Sequence, residues 1–458
     1  MPMLPRDRPR IGSAFRRYFS SENVLGSFSP SSWAIQIGCN YVPMLSDLSA
    51  SDRVTLEHEF SHLLLQFTTY AGLLDLRFWA QTLVVLEEEP SPGLSAEEYV
   101  TEMARRVLAV ARARQILAID DFYYLEERPA LMEEAQFRQP LGLGWIWGET
   151  TGGLFRTDGK LSDRRFWALR FYLDGRDDEH SFIRIPVGLR TILEHVATAV
   201  DFTGEIASRD ESQAKEYVDN LLVQAYSPGS LHYFALTHCL SGTLKRLYSI
   251  EERRWVFVIS GQLVSLLADI PFDDPEVWAA LCKYAQAHRQ DIAVHMSHPH
   301  PSFVFPLLVH AFANCALPMA QLADPYQVEK TADQILAQLG LPNWRELLKL
   351  RDQLADEVRT LLAAHDTVGE RVALLDWIAE YEKNLSYAEK LLTPTKHLGD
   401  GIPVPILFAD NSYWDGTVLS MNESQRLIMH ERRYHELLRY PTYRDIVDEL
   451  GTPLQNQS

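Results

Sequence analysis

The chain contains the motif His58-Glu59-Phe60-Ser61-His62, in which two histidines four residues apart enclose a glutamate. On an α-helix these histidines are separated by about 40° around the axis and by one turn along it, so both imidazoles can bind one metal ion. A glutamate next to the first histidine lies beside such an ion, where it can take a proton from water. The motif therefore predicts a helix with His58 and His62 as metal ligands and Glu59 as general base.

The residues around the motif predict that this helix is amphipathic. Ser49 or Ser51 can cap its start, Asp52 is favourable in its first turn, and Gly72 is expected to end it. One side of the helix can then pack into a core while the histidines face outward. The apolar positions opposite the histidines are Leu56, Phe60, Leu63, Leu64 and Phe67.

Composition narrows the class of protein. A chain of 458 residues is long enough for a large core and two or three domains. Its hydrophobic content of 46% and charged content of 23% are typical of globular proteins. A formal net charge of −19 argues against a nucleic-acid partner, because binding to phosphates needs a basic surface.

The cysteines and the apolar runs predict a cytoplasmic protein that does not contact membranes. The four cysteines are far apart and form no C-x-x-C pair, which favours a reducing compartment. The basic segment 1–19 lacks the apolar stretch of a secretory signal. No apolar run reaches the ~18 residues needed to cross a bilayer.

The regions beside the motif predict short strands. Residues 20–32 are rich in Ser, Gly and Pro and are expected to form a loop, whereas 33–42 has the β-branched and aromatic content of a strand. A strand before such a helix could be an edge strand to which a substrate backbone adds. The aromatic- and glycine-rich segment 120–188 predicts further strands and tight turns.

These patterns predict a mostly helical α+β protein in three parts. A basic N-terminal segment (1–29) precedes a catalytic domain (30–325), and a helical accessory region follows (326–458). The accessory region carries no recognisable chemistry, so it is a candidate lid, dimer surface or binding surface for a regulatory protein partner. Its predicted helices are 344–364, 370–392 and 422–438.

A second helix is expected at 204–219, with Glu211 in its first turns and Ala214 three residues later. The motif helix and this helix together resemble the gluzincin branch of zinc metallopeptidases. They are also similar to a little-characterised bacterial group with the pattern H-E-[FY]-x-H-x-x-x-Q followed by E-[SG]-x-A. The segments 266–271 and 300–305 resemble further segments of that group, and the resemblance covers about residues 33–320.

The resemblance implies a zincin-like catalytic domain in which His58, His62 and Glu211 bind zinc and Glu59 activates water. It further implies hydrolysis of peptide bonds in a protein or peptide substrate. Two histidines, one carboxylate and an open position are typical of catalytic zinc. The sequence departs from known gluzincins in two ways. Its third ligand is much farther from the motif, and Lys215 stands where they carry an acid.

Several other residues are candidates for supporting roles. Glu98 or Glu102 could replace Glu211 as the third ligand, and Asp210 or Asp219 could orient a histidine. Four residues that follow Glu211 are candidate donors to the oxyanion of the transition state: Tyr217, Tyr226, His232 and Tyr233.

Two other histidine groups are not expected to bind metal. The group His295, His298 and His300 is interrupted by prolines, which favours a loop with satisfied side chains. His430 and His435 are five residues apart and would lie about 140° apart on a helix, so they cannot share one ion.

The leading hypothesis is a zinc metalloprotease, with a regulatory or defence role against a specific protein. One alternative is a non-catalytic interaction or toxin-type module that keeps a zincin-like scaffold. A second is a mononuclear iron enzyme, which also uses two histidines and one carboxylate.

Overall fold

The computed structural model describes most of the chain between residues 26 and 408. The described residues are 26–29, 33–87, 93, 95, 98, 124–126, 145–150, 154–155, 161–162, 166–172, 182–225, 231–248, 254–364, 369–385 and 406–408. Within them the protein is mostly helical with a few short strands, which confirms the predicted class.

The strands are all short. They are β1 Gly26–Ser29, β2 Ala34–Ile37, β3 Tyr124–Glu126, β4 Trp145–Thr150, β5 Leu154–Phe155, β6 Leu161–Ser162, β7 Phe166–Tyr172, β8 Phe182–Pro186 and β9 Ile406–Phe408.

The helices make up most of the described fold, and two single 3₁₀ turns at Leu45–Asp47 and Pro325–Gln327 accompany them. The α-helices are α1 Ala50–Thr68, α2 Tyr70–Glu87, α3 Leu189–Ser208, α4 Glu211–Ala225, α5 Leu231–Tyr248, α6 Arg254–Asp269, α7 Pro275–His288, α8 Gln290–Ala293, α9 Pro301–Cys315, α10 Met319–Leu322, α11 Val328–Leu339, α12 Trp344–Ala363 and α13 Gly369–Lys383.

The first sheet has the order β1-β2-β9, with β1 antiparallel and β9 parallel to β2. The prediction of a loop over 20–32 is wrong at 26–29, because these residues pair with β2. The expectation that the strand within 33–42 is an edge strand is also wrong. Both of its backbone edges are already paired, so no substrate strand can add to it.

The motif helix α1 begins as predicted but ends earlier. The Ser49 hydroxyl oxygen accepts a hydrogen bond from the Asp52 backbone N–H at 3.1 Å, which satisfies a free donor of the first turn. The helix ends at Thr68, and α2 starts at Tyr70, so Gly72 lies inside α2. A Cβ atom on Gly72 would lie 2.2 Å from the Leu65 carbonyl oxygen. The glycine therefore permits two backbones to approach closely, and it does not stop the helix.

The predicted apolar face of α1 is confirmed, since Leu56, Phe60, Leu63, Leu64 and Phe67 are all buried in the main core. Helix α1 as a whole packs against α2 and α3. Helix α3 was not predicted, because residues 189–203 were assigned to no element. The single helix expected at 204–219 is wrong, since α3 ends at Ser208 and α4 begins at Glu211. Helix α3 is the element that completes the site described below.

The second sheet is antiparallel, with the order β3-β8-β7-β4, and α9 packs against β7. The hydroxyl oxygen of Ser302 accepts a hydrogen bond from the Trp167 backbone N–H at 3.0 Å and so ties α9 to this sheet. His300 precedes Ser302 and caps α9, its Nδ1 accepting from the Ser302 N–H at 3.2 Å. His298 and His300 are both buried, and among the described residues neither belongs to the group of converging metal-ligand atoms.

Helices α11 to α13 share the core of the remaining protein. The predicted helix at 344–364 is confirmed by α12. The predicted helix at 370–392 is confirmed as far as Lys383, where α13 ends; it is wrong at 384–385, and 386–392 lie outside the described residues. Apolar residues of α12 and α13 belong to the same buried cluster as those of α1. The division at residue 325 stays a prediction, and the predicted helix 422–438 and the pair His430 and His435 lie outside the described residues.

Candidate metal centre

Helices α1 and α3 bring three side chains together at one point. The Nε2 atoms of His58 and His62 are 3.1 Å apart. The Oε2 atom of Glu194 lies 3.6 Å from His58 Nε2 and 3.2 Å from His62 Nε2. Among the described residues, this trio is the group of possible ligands whose atoms converge closely enough to hold a metal ion.

Asp201 orients the first histidine. Its Oδ2 atom lies 2.6 Å from Nδ1 of His58, which therefore carries the proton and donates it. Nε2 of His58 faces Glu194 and His62, and it is the atom that a metal ion would bind in place of a proton. A carboxylate behind a metal-binding histidine fixes the tautomer and raises its basicity in this way.

The separations within the trio fit a metal ion. Nitrogen and oxygen ligands about 2.0–2.2 Å from a tetrahedral zinc ion lie roughly 3.3 Å from one another. The three observed separations are 3.1, 3.2 and 3.6 Å. Two histidines and one glutamate also form the donor set of catalytic zinc sites with an open fourth position. The residues present therefore fit a divalent metal ion, such as zinc, held by His58, His62 and Glu194.

The charge distribution of the centre is that of a cation site. Burial alone would raise the pKa of Glu194, but the adjacent His62 and His58 hold it well below its usual range. Burial opposes protonation of His58, yet Asp201 and Glu194 raise its pKa well above the usual value. The two carboxylates thus favour positive charge at this position, which a bound metal ion would supply.

Glu194 is the carboxylate that sequence reasoning missed. A helix glutamate has no local signature, and α3 itself had not been predicted. One signal was present: Glu194 and Asp201 are seven residues apart, which places them about two turns apart on the same face of a helix. That face meets α1, where both carboxylates contact His58.

The residues predicted as third ligand lie in different settings. Glu211 is the first residue of α4, and its side chain lies outside the described part, so its role stays a prediction. Glu98 is exposed and accepts two hydrogen bonds from Ser95, and it is not in the converging trio. Glu102 lies outside the described residues.

The role expected of Asp210 or Asp219 is taken by Asp201. The Oδ1 atom of Asp210 accepts a hydrogen bond from the Gln213 N–H at 2.9 Å, so this residue caps α4. Asp219 is exposed on the same helix.

Glu59 lies at the centre as the motif predicts. It is 9% exposed, and burial raises the pKa of its carboxyl, while the neighbouring His62 and His58 offset part of that rise. A carboxylate with a raised pKa is a better proton acceptor than one in water. It therefore has the location and the basicity of a general base.

Of the predicted oxyanion donors, Tyr233 reaches the centre. Its ring centroid lies 5.9 Å from that of His58. Burial, with the charges of Glu194 and Glu59, raises the pKa of the Tyr233 phenol, so it stays protonated and can donate. Tyr217 instead packs on Phe202, with its ring centroid 6.2 Å away. Tyr226 and the side chain of His232 lie outside the described residues.

The centre is partly open to solvent. The side chains of His58 and His62 are 17% and 13% exposed, and that of Glu194 is 27% exposed. These side chains face solvent in part, while the converging oxygen itself, Oε2 of Glu194, is buried.

Comparison of the chain with protein-family models, curated proteins and solved structures found no match in any of the three. Among the described residues, no helix is both long and apolar enough to cross a lipid bilayer.

Proposed function

We propose that the protein is a zinc-dependent metallopeptidase that hydrolyses peptide bonds at the site formed by His58, His62 and Glu194. The observation that supports this most is the convergence of two imidazole nitrogens and one carboxylate oxygen within 3.6 Å, next to the buried carboxylate of Glu59. This combination of ligands and base is typical of water-activating zinc sites.

In this proposal each residue has a separate task. When bound, zinc supplies a Lewis acid that polarises the substrate carbonyl and lowers the pKa of water. Glu59 accepts a proton from the attacking water and passes it to the leaving amide nitrogen. The Tyr233 hydroxyl donates a hydrogen bond to the carbonyl oxygen as that oxygen gains negative charge. Asp201 keeps the His58 ring in its binding orientation.

The zincin-like fold and the role in the cell are parts of the same proposal. A motif helix between a small sheet and a second ligand-bearing helix supports a zincin-like arrangement. A regulatory or defence protease in the cytoplasm that acts on one specific protein is consistent with the acidic net charge of −19.

The test of catalysis uses Glu59→Gln. This variant keeps the ligands but cannot accept a proton, so we expect full metal content with at least an about 100-fold loss of peptide cleavage. Metal is measured by elemental analysis and cleavage by mass spectrometry of a peptide library. Glu216→Gln, at an exposed position of α4, is the control. Unchanged cleavage by Glu59→Gln would refute the mechanism.

A second pair of variants identifies the third ligand. We expect Glu194→Gln to lose stoichiometric zinc and Glu211→Gln to retain it. The opposite result would assign the ligand to Glu211. Iron in place of zinc in the purified protein would instead favour the mononuclear iron enzyme. A protein with no stoichiometric metal, unaffected by His58→Ala, would favour the non-catalytic module.

A further inference from the structure

A cavity of about 470 Å³ lies between helices α5 and α9, bounded also by β4 and the turn after α7. It is separate from the metal centre. Tyr233, which reaches that centre, and Thr243, which lines the cavity, are ten residues apart on α5, or about 15 Å along the helix. We refer to it as the α5–α9 cavity. Its volume is within the range of sites that hold small molecules.

The floor of the α5–α9 cavity is apolar and aromatic. Phe305 and Pro306 are buried, Trp147 is half-buried, and Val309 and Ala313 continue the same wall along α9. The Trp147 and Phe305 rings are 6.3 Å apart at their centroids. Indole and phenyl faces favour a flat aromatic partner in stacked or edge-on contact.

The rim of the cavity carries two guanidinium groups in a strongly acidic protein. Arg289 donates to both carboxylate oxygens of Asp291, at 2.9 and 2.7 Å, so its fork is already occupied. Arg246 is exposed, and no ion pair joins it to the described residues. No carboxylate is among the described residues that line the cavity. One guanidinium is therefore available, which matches the charge of one carboxylate and not that of a phosphate dianion.

His310 adds a neutral donor to the same wall. Its Nδ1 atom lies 2.8 Å from the Tyr284 hydroxyl and 3.3 Å from the Asn314 side-chain nitrogen, and both groups can donate to it. Burial, with the nearby Arg289, lowers the pKa of His310, which favours the neutral ring. In the tautomer whose Nδ1 accepts from Tyr284 and Asn314, the proton is on Nε2. That N–H can donate to a ligand oxygen without adding charge.

We propose that the α5–α9 cavity binds a small molecule with one carboxylate on an aromatic body. Arg246 binds the carboxylate, and the aromatic body occupies the apolar floor between Trp147 and α9. The site is distinct from the metal centre, and the proposal does not depend on the peptidase activity.

The test uses 2-naphthoate as the probe and isothermal titration calorimetry of the full-length protein as purified. A ligand of this size that fits should bind with a Kd below about 1 mM. The uncharged 2-naphthamide has the same shape and should bind at least tenfold more weakly. Arg246→Gln should weaken 2-naphthoate binding by a similar factor, because it removes the paired charge.

Two variants control the location of the probe. Ala313→Trp fills the cavity and should abolish binding, whereas Arg53→Gln removes an exposed arginine from α1 and should leave binding unchanged. Thermal unfolding establishes that each variant is folded, and Arg246→Gln remains informative if Ala313→Trp is not. No saturation by about 10 mM, equal binding of the amide, or unchanged binding to Arg246→Gln would each overturn the proposal. Binding lost in His58→Ala but kept in Arg246→Gln would place the probe at the metal centre and overturn it too.

Discussion

Asp201 determines which nitrogen of His58 is available for a metal ion. The 2.6 Å contact with Nδ1 keeps a proton on that atom, so Nε2, which faces Glu194 and His62, is the atom that can exchange its proton for a metal ion. Without Asp201 the ring could adopt the other tautomer or turn, and the two remaining ligands would bind the ion less firmly.

We therefore expect Asp201→Asn to lower zinc affinity by about 10- to 100-fold while the fold is retained. The asparagine is close in shape, but it is uncharged and can present an amide N–H to the ring. Competition with a chelator of known affinity measures the change. Asp219→Asn, at an exposed site on α4, is the matched control. Equal zinc affinity of Asp201→Asn and the wild type would remove Asp201 from the site.

Among the residues of the metal centre, the sequence predicted those that lie close together in the chain. His58, Glu59 and His62 follow from one spacing on one helix. Glu194 and Asp201 could not be predicted in this way, because their partners are more than a hundred positions away and a carboxylate on a helix is usually exposed. Only the packing of α3 against α1 distinguishes them.

The packing of α1 on α2 depends on the absence of a side chain at Gly72. A Cβ atom there would lie 2.2 Å from the Leu65 carbonyl oxygen and 2.5 Å from the Gln66 Cα atom. Both are backbone atoms of the motif helix, which cannot move aside as a flexible side chain could.

We expect Gly72→Ala to reduce the free energy of unfolding by about 1–3 kcal/mol or more, as overpacking does. Urea unfolding followed by circular dichroism measures this. Gln81→Ala, at an exposed position of the same helix, should change stability little. A Gly72→Ala protein as stable as the wild type would show that the helices separate at no cost.

Helix α12 holds the end of the motif helix through one buried arginine. Arg351 donates to the Thr68 carbonyl at 3.1 Å and forms ion pairs with Glu382 and Asp352. The side chain of Glu382 is 9% exposed, so loss of the arginine would remove a cation that is paired with a buried carboxylate.

Arg351→Leu should therefore destabilise the protein by about 3–5 kcal/mol, as the loss of one partner of a buried pair does. The control is Arg345→Leu on the same helix, where the side chain is 78% exposed and pairs with Glu329. That change should have little effect, and differential scanning calorimetry compares the two. Similar unfolding temperatures for both variants would contradict a structural role for the Thr68 contact.

The positions of single helices and strands were easier to predict than the elements with which they pair or pack. Helices α1 and α12 follow from capping residues and apolar periodicity, and both are found nearly where expected. The position of β2 in the middle of a sheet could not be predicted. Its neighbour β1 lies in a segment that was predicted to be a loop, and its neighbour β9 lies near residue 407. Strand pairing over such distances has no local sequence signal.

Over the whole molecule, buried neutral histidines link stability to pH. His238 is 4% exposed and lies 2.9 Å from the Ala225 carbonyl oxygen, to which it donates from Nε2. Burial lowers its pKa from 6.5 to about 4. The unfolded chain therefore binds this proton at higher pH than the folded protein does.

Stability should accordingly fall as the pH decreases from 6.5 to about 4, by about 1.4 kcal/mol per pH unit for His238. In His238→Gln the free energy of unfolding should lack this contribution to its pH dependence, because glutamine does not titrate. Glutamine still offers a donor to the Ala225 carbonyl oxygen. Urea unfolding at a series of pH values measures the slope. His288→Gln on α7, at an exposed site, is the control. Equal slopes for His238→Gln and the wild type would exclude His238 as a contributor.

The parallel pairing of β2 with β9 has a consequence for how the protein is made. Residues 35–37 hydrogen-bond to residues 406–408, so this part of the sheet cannot form while the chain is still shorter than that on the ribosome. The helix with His58 and His62 is synthesised early, next to a strand that still lacks one neighbour. A nascent or prematurely terminated chain thus has the histidine motif but not the completed sheet beside it.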